Sequence, residues 1–189
     1  MTGQPSSDEE HIIRRCLAGD KEAFSVLVER YKTMVYTVSY RMLGDADSAN
    51  DAAQDSFIAA YGALKNFRFG SKFSTWLYAI TVNKCRDHIR TARDRVSVDD
   101  IAELRADPAG TPEQRFADSE TGNRVQAALD TLPADYREVL VMKHIQGLSY
   151  EEIAEVVGAS IPALKVRAHR GRELLRKAME KAGFVHEEQ

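Results

Sequence analysis

Between Ile161 and Ala182 seven bases (Lys165, Arg167, Arg170, Arg172, Arg176, Lys177 and Lys181) stand against Glu173 and Glu180, a local net charge of +5. Lys165, His169, Arg172 and Arg176 recur at intervals of 4, 3 and 4, one meridian of an α-helix, with Arg170 beside them. Cations so spaced suit the phosphates and base edges of duplex DNA. They equally describe a solvated helix end whose bases complement the helix dipole. A second group begins at Asn66-Phe67-Arg68-Phe69-Gly70-Ser71-Lys72-Phe73-Ser74-Thr75-Trp76-Leu77-Tyr78, the densest aromatic stretch in the chain. Beyond it Trp76, Asn83 and Arg90 recur at sevens, with Arg86 and Asp87 alongside. Rings stack on unstacked bases, an amide reads a base edge, and arginines hold phosphates. Stacking is worth roughly 1–3 kcal/mol per base, comparable with the few kcal/mol needed to flip one out of a duplex. Phe73 and Trp76 fit core packing just as well. A third group, Asp47, Asp51, Gln54 and Asp55, shares a helical face with Ile58. Acids near a helix start complement the dipole, whereas an apolar residue among them describes a docking surface for a basic partner. No histidine or metal-ligand spacing accompanies them, so neither a catalytic carboxylate pair nor a metal site is expected.

The elements that must carry these groups are helices. Apolar residues recur every three to four positions, strand signals are almost absent, and five prolines interrupt the chain little. The spacing predicts helices over Phe24–Met42, Asp47–Asn66 and Ser71–Arg93 in a first domain, residues 8–95. It predicts others over Arg124–Thr131, Ala134–Gln146, Tyr150–Val157 and Ile161–Lys181 in a second, residues 123–182. In the first, Ala53, Phe57, Ala60 and Leu64 form one expected core stripe, and Tyr78, Val82, Cys85 and Ile89 another. Between the domains, Asp94–Glu120 holds eight acids against three bases, a net charge of -5, around Asp107-Pro108-Ala109-Gly110-Thr111-Pro112. So little apolar surface cannot support a core, and residues 96–122 are read as an acidic flexible linker. The expected architecture is all-α: two small helical domains joined by that linker.

The second domain has the grammar of a helix-turn-helix. Ser149 and Glu152 form a capping box. Gly158 supplies the left-handed stop, Ser160 can cap the next helix, and Pro162 falls in its first turn. Leu164, Ala168, Gly171, Leu175 and Met179 give that next helix an apolar face. In a helix of this kind the first turns read bases and later cations meet phosphates. Lys165, Val166, His169 and Arg170 are therefore placed near base edges, and Arg172 and Arg176 on the DNA backbone.

Composition narrows the rest. The 189 residues are 43% hydrophobic and 29% charged, an ordinary globular balance, and the net charge of -3 excludes a polycation. That near-neutral total hides a basic patch in each domain, because Asn83–Arg95 adds five bases against two acids. Two basic patches on a tether describe one polyanion held at two places. No apolar run approaches a membrane span, and the polar, acidic start Met1–Glu10 lacks the pattern of a secretion signal. Only two cysteines occur, far apart. A cytoplasmic location is expected.

These residues, in this order, resemble an extracytoplasmic-function (ECF) sigma factor of bacterial RNA polymerase, from about Ile12 to Ala182. The resemblance is carried by Gly19-Asp20-Lys21-Glu22-Ala23-Phe24, Asp51-Ala52-Ala53-Gln54-Asp55-Ser56-Phe57, Phe73-Ser74-Thr75-Trp76-Leu77-Tyr78-Ala79-Ile80 and Leu148-Ser149-Tyr150-Glu151-Glu152-Ile153-Ala154. It implies that the two domains are sigma regions two and four. Asp51, Gln54, Asp55, Phe57 and Ile58 match the segment that docks on the clamp helices of core RNA polymerase. The loop from Asn66 to Ser74 and the helix after it match the part that binds and melts the minus-ten element of promoter DNA. That assigns Phe67, Lys72, Ser74, Thr75, Trp76, Asn83, Arg86 and Arg90 to it, with Asn83 lining a flipped-base pocket. Tyr150–His169 match the reader of the minus-thirty-five element. An anti-sigma factor is the implied restraining partner; no cofactor, metal or covalent chemistry is implied.

Two departures bear on the DNA sequence read. Ala79 stands where many relatives carry a base after the Leu-Tyr pair, and Val166 where many carry a serine. An apolar Val166 would meet a thymine methyl rather than donate a hydrogen bond. Two rival readings follow from the residues. One is a helix-turn-helix regulator whose first domain senses a signal or dimerises, which leaves the aromatic-basic helix and the Gln54 face without a purpose. The other is an enzyme using Cys85 and His88 at i,i+3. Cys85, however, lies on an apolar stripe, where a packed thiol is the simpler reading.

Overall fold

A computed structural model of the protein describes residues 6–96 and 120–182, with side chains over 6–92 and 122–182. Every regular element among the described residues is helical. In order they are α1 (Ser7–Leu17), α2 (Lys21–Leu43), α3 (Ala46–Ala63) with a 3-10 turn (Leu64–Asn66), α4 (Phe73–Val96), α5 (Glu120–Asp130), α6 (Ala134–Leu140) running into a π-helical turn (Val141–Ile145), α7 (Tyr150–Val157) and α8 (Ile161–Lys181). The chain forms two compact units, Met1–Ser39 with Asp47–Asp100, and Tyr40–Ala46 with Ile101–Gln189. The acidic linker expected over 96–122 lies mostly outside the described residues, and α5 begins within it at Glu120. No helix among the described residues is long and apolar enough to cross a membrane.

In the first unit, α1 is capped by Ser6, whose Oγ accepts from Glu9 N at 3.2 Å. Acids in its first turn and Arg14 and Arg15 in its last complement the dipole. Its Ile12, Ile13 and Cys16 join Phe24, Leu27, Val35, Ala60, Leu64, Phe67, Phe73 and Leu77 in one core. The buried line of α3 differs from the expected stripe. Ala49, Ala52, Ser56 and Ala60 are buried, while Ala53 and Phe57 are only half-buried. Small side chains on that line permit close helix approach, and the Ser56 hydroxyl is satisfied by donating to Ala52 O at 2.6 Å. Along α4, Leu77, Tyr78, Val82 and Cys85 are buried and Ile89 is half-buried.

The second unit takes in residues 40–46, the last turn of α2 and the turn after it. Arg41, 7% exposed, donates from Nη1 to Gly122 O at 3.1 Å and Gln126 Oε1 at 3.2 Å. Arg137 donates from Nη1 to Met42 O at 2.7 Å and from Nη2 to Asp130 O at 2.9 Å. Gly44 adopts φ +88°, a conformation that favours glycine, and a Cβ there would lie 2.8 Å from the Asp130 carboxylate. The expected helix-turn-helix is present in detail. Glu152 N donates to Ser149 Oγ at 3.1 Å and Ser149 N to Glu152 Oε2 at 2.9 Å. Gly158 stops α7 at φ 71°, and Ser160 Oγ accepts from Ala163 N at 3.5 Å to start α8. Leu164, Ala168 and Gly171 are buried on the core face of α8, with Leu175 and Met179 half-buried. A methyl at Gly171 would sit 3.2 Å from Leu140 on α6, so the helices meet there closely.

Candidate nucleic-acid interface

The three groups singled out by spacing emerge as three surfaces with different chemistries. On α3, Asp51, Gln54 and Asp55 are exposed and Ile58 is 70% exposed among them. A branched aliphatic side chain left in water inside a polar face favours burial against something else. Phe57 does not share that surface. It is half-buried and packs against the core. Asp55 Oδ2 lies 3.3 Å from His88 Nε2 on α4.

The aromatic-basic group divides into a buried floor and an exposed rim. Phe67 is 5% and Phe73 1% exposed, and Thr75 is 7% exposed. Phe67 and Thr75, both expected to bind DNA, are buried here, Phe67 within the hydrophobic core. Phe67 lies 5.4 Å from Trp76 and 5.6 Å from Phe73, edge to face, and Phe73 lies 5.4 Å from Trp76. Trp76 is half-buried, supported from beneath by those rings, so one part of the indole remains outward. Lys72, Asn83 and Arg90 are exposed, and Ser74 and Arg86 half-buried. Arg86 Nη1 donates to Asn83 Oδ1 at 3.1 Å, which directs the amide so that its Nδ2 is the donor. Arg90 is paired with Asp87 at 2.9 Å. The geometry is an aromatic base at the start of α4, with an amide and cations along the helix after it.

On α8, Lys165, Val166, His169, Arg170, Arg172 and Arg176 are all exposed, Val166 at 50%. Lys165 Nζ lies 5.9 Å from the Tyr150 ring centroid, with Lys143 Nζ 5.0 Å from the same ring. His169 Nε2 is 3.6 Å from Glu173 Oε1, and Arg176 pairs with Glu180. Arg167 turns away, 3.8 Å from Asp135. His144 was not marked by spacing. Burial first, then the charges of Arg172 and Lys143, hold its pKa below the ordinary histidine value. Burial is the larger cause, and the two cations add to it.

The cysteine–histidine pair does not form. Cys85 is fully buried with its Sγ 3.7 Å from Ser39 Oγ, while His88 faces Asp55. Cys16 is also buried, and burial, ahead of the Asp20 charge, pushes its thiol pKa up. Among the described residues no group of three acidic, histidine or cysteine side chains is placed to hold a metal ion.

Comparison with known proteins agrees with this anatomy. Residues 27–95 match Sigma-70 region 2, and residues 122–175 match Sigma-70 region 4. The chain is 37% identical over 182 residues to the ECF RNA polymerase sigma factor SigW of Bacillus subtilis, covering 88% of this chain and 94% of that one. It is 35% identical over 182 residues to the RNA polymerase sigma-H factor of Pseudomonas aeruginosa, covering 91% and 94%. Among solved structures it is similar to CnrH in complex with the cytosolic domain of CnrY, with a TM-score of 0.65, 28% identity, and coverage of 90% and 96%. The fold is also that of the sigma factor RpoE of Bartonella quintana, solved with the anti-sigma factor NepR, at a TM-score of 0.69, 24% identity, and coverage of 83% and 96%. The rival reading as a free-standing helix-turn-helix regulator loses its ground, because the first unit has a family of its own. The chain belongs to the ECF sigma factors, the subunits that bind core RNA polymerase and direct it to promoters.

Proposed function

We propose that the three surfaces divide the work of a sigma factor among them. The α3 face of Asp51, Gln54, Asp55 and Ile58 docks on the polymerase core, with Phe57 holding the helix to the domain beneath. The rim of Lys72, Ser74, Trp76, Asn83, Arg86 and Arg90 takes up the minus-ten strand as the duplex opens. Phe67 and Thr75 act there as the floor that fixes Trp76. On α8, Lys165, Val166, His169 and Arg170 read the minus-thirty-five element while Arg172 and Arg176 hold its backbone. Residues 8–95 and 123–182 are then regions two and four, with the acidic segment 96–122 as the tether between them. The chain contributes binding energy and no covalent step. It works in the cytoplasm, where it meets polymerase and DNA, and an anti-sigma factor restrains it; the sigma factor RpoE, of the same fold, is solved in complex with the anti-sigma factor NepR.

The observation that carries this reading is the exposed Asn83, two helical turns along α4 from the half-buried Trp76, with Arg86 orienting the amide at 3.1 Å. An aromatic face plus one directed donor is what a single flipped base requires. Asn83→Ala should therefore lower permanganate reactivity of promoter DNA in the holoenzyme by about tenfold, the loss of one directed hydrogen bond to a base. Mobility-shift affinity for the closed duplex should stay within about twofold. Equal loss in both assays contradicts the assignment of the pocket.

A further inference from the structure

Backbone bonds and ring packing hold the loop between the 3-10 turn and α4. Phe67 N donates to Leu64 O at 3.0 Å and Ser71 N to Arg68 O at 3.3 Å. Ring packing holds the rest, with Phe69 set edge to face on Phe67 at 5.4 Å. Phe69 is only half-buried, and what covers it comes from a distant part of the sequence. The guanidinium carbon of Arg14, on α1, lies 4.8 Å from the Phe69 ring centroid. Arg14 is in turn fixed by Glu10, whose Oε1 accepts from its Nε at 3.0 Å and its Nη2 at 2.6 Å. The Arg14 side chain is 64% exposed, so the ion pair alone contributes little. Over an aromatic face the same guanidinium gains a further attraction that depends on its position. Glu10, Arg14, Phe69, Phe67 and Trp76 thus form one continuous line of contacts from α1 to the outward indole.

We propose that Arg14 is a positioning residue for the single-strand surface. It holds Phe69, and through Phe69 the segment bearing Arg68 and Lys72, in the form that receives an unstacked base beside Trp76. The proposal rests on the reading of α4 and its loop given under the proposed function. Arg14 acts through Phe69 and does not itself touch DNA.

Trp76 is the only tryptophan in the chain, so its emission reports on this packing without a label. In the free full-length protein, Arg14→Ala should shift Trp76 emission, and Arg14→Lys, which keeps a cation near the ring, should shift it less. In holoenzyme, on promoter fragments opened by the unsubstituted protein, Arg14→Ala should lower permanganate reactivity about two- to fivefold, the scale of one exposed cation–π contact. Arg14→Lys should recover most of it. Retention of core polymerase and affinity for the upstream duplex should not change, which separates positioning from general loss of structure. If Arg14→Ala opens promoters normally while Asn83→Ala does not, the positioning role falls and the reading of the surface stands. If both open them normally, the reading of the surface falls and takes this role with it. If Arg14→Ala weakens opening with unchanged Trp76 emission and a shallower salt dependence, Arg14 meets a phosphate directly and the proposal is overturned.

Discussion

Val166 and Arg172 are both exposed on α8, yet their chemistry differs in what it can tell apart. A cation near a phosphate sees the same charge whatever the base, whereas an apolar side chain against a base edge distinguishes a thymine methyl from a cytosine amine. Arg172→Ala should therefore weaken binding to matched and scrambled upstream duplexes alike and reduce the salt slope of binding by about one. Val166→Ser should leave the salt slope unchanged and alter preference at one base pair. Mobility shifts across a salt series, on both duplexes, check the two together. A change of preference with Arg172→Ala, or a change of slope with Val166→Ser, contradicts the division of labour on this helix. The residue scale is also where spacing proved most informative. Lys165, His169, Arg172 and Arg176 all reach solvent as their 4,3,4 register implies, because a helix surface is set by its own period. The burial of Phe67 and Thr75 is not legible locally, because nothing in a loop or a first turn says which side a core will cover.

At the scale of elements, the helix-turn-helix is specified twice, once by pattern and once by its ends. The reciprocal bonds between Ser149 and Glu152 satisfy two backbone donors at the start of α7, and Gly158 ends it in the left-handed region. Because α7 is only eight residues long, its stability depends on those ends more than on propensity. Ser149→Ala should lower the stability of the full chain by about 1 kcal/mol in chemical denaturation, and weaken binding to the upstream duplex in proportion. The same change at exposed Ser25 should have an effect within about 0.5 kcal/mol. If the two substitutions prove equivalent, the capping box does not set α7. The helix assignments from Phe24 to Lys181 were legible because capping and periodicity are local. The helix α1 was not singled out, since its eleven residues offer one short apolar line, Ile12, Ile13 and Cys16, that gains meaning only against Phe24 and Leu27.

At the scale of the whole molecule, the sequence pattern shows two basic regions and an acidic stretch, and the contacts add what no pattern could. Arg41, buried, and Arg137, half-buried, are far apart in sequence and yet both donate to backbone carbonyls of the second unit, to which residues 40–46 belong. Arg14 and Phe69, likewise distant, meet through packing that no single segment encodes. The resemblance to ECF sigma factors was legible because four short motifs fall in order along the chain, and family matches over residues 27–95 and 122–175 bear it out. Which residue holds which partner was legible only where a side chain's exposure follows from its own helix.

The account stands or falls on whether this chain makes core RNA polymerase start at chosen places. The direct measurement is transcription in vitro from a genomic fragment library, with purified core polymerase and the purified full-length chain, mapping the 5′ ends of the RNA. The account predicts discrete start sites that appear only when the chain is present, each preceded by a shared pair of short DNA elements. Start sites indistinguishable from those of core polymerase alone would contradict it.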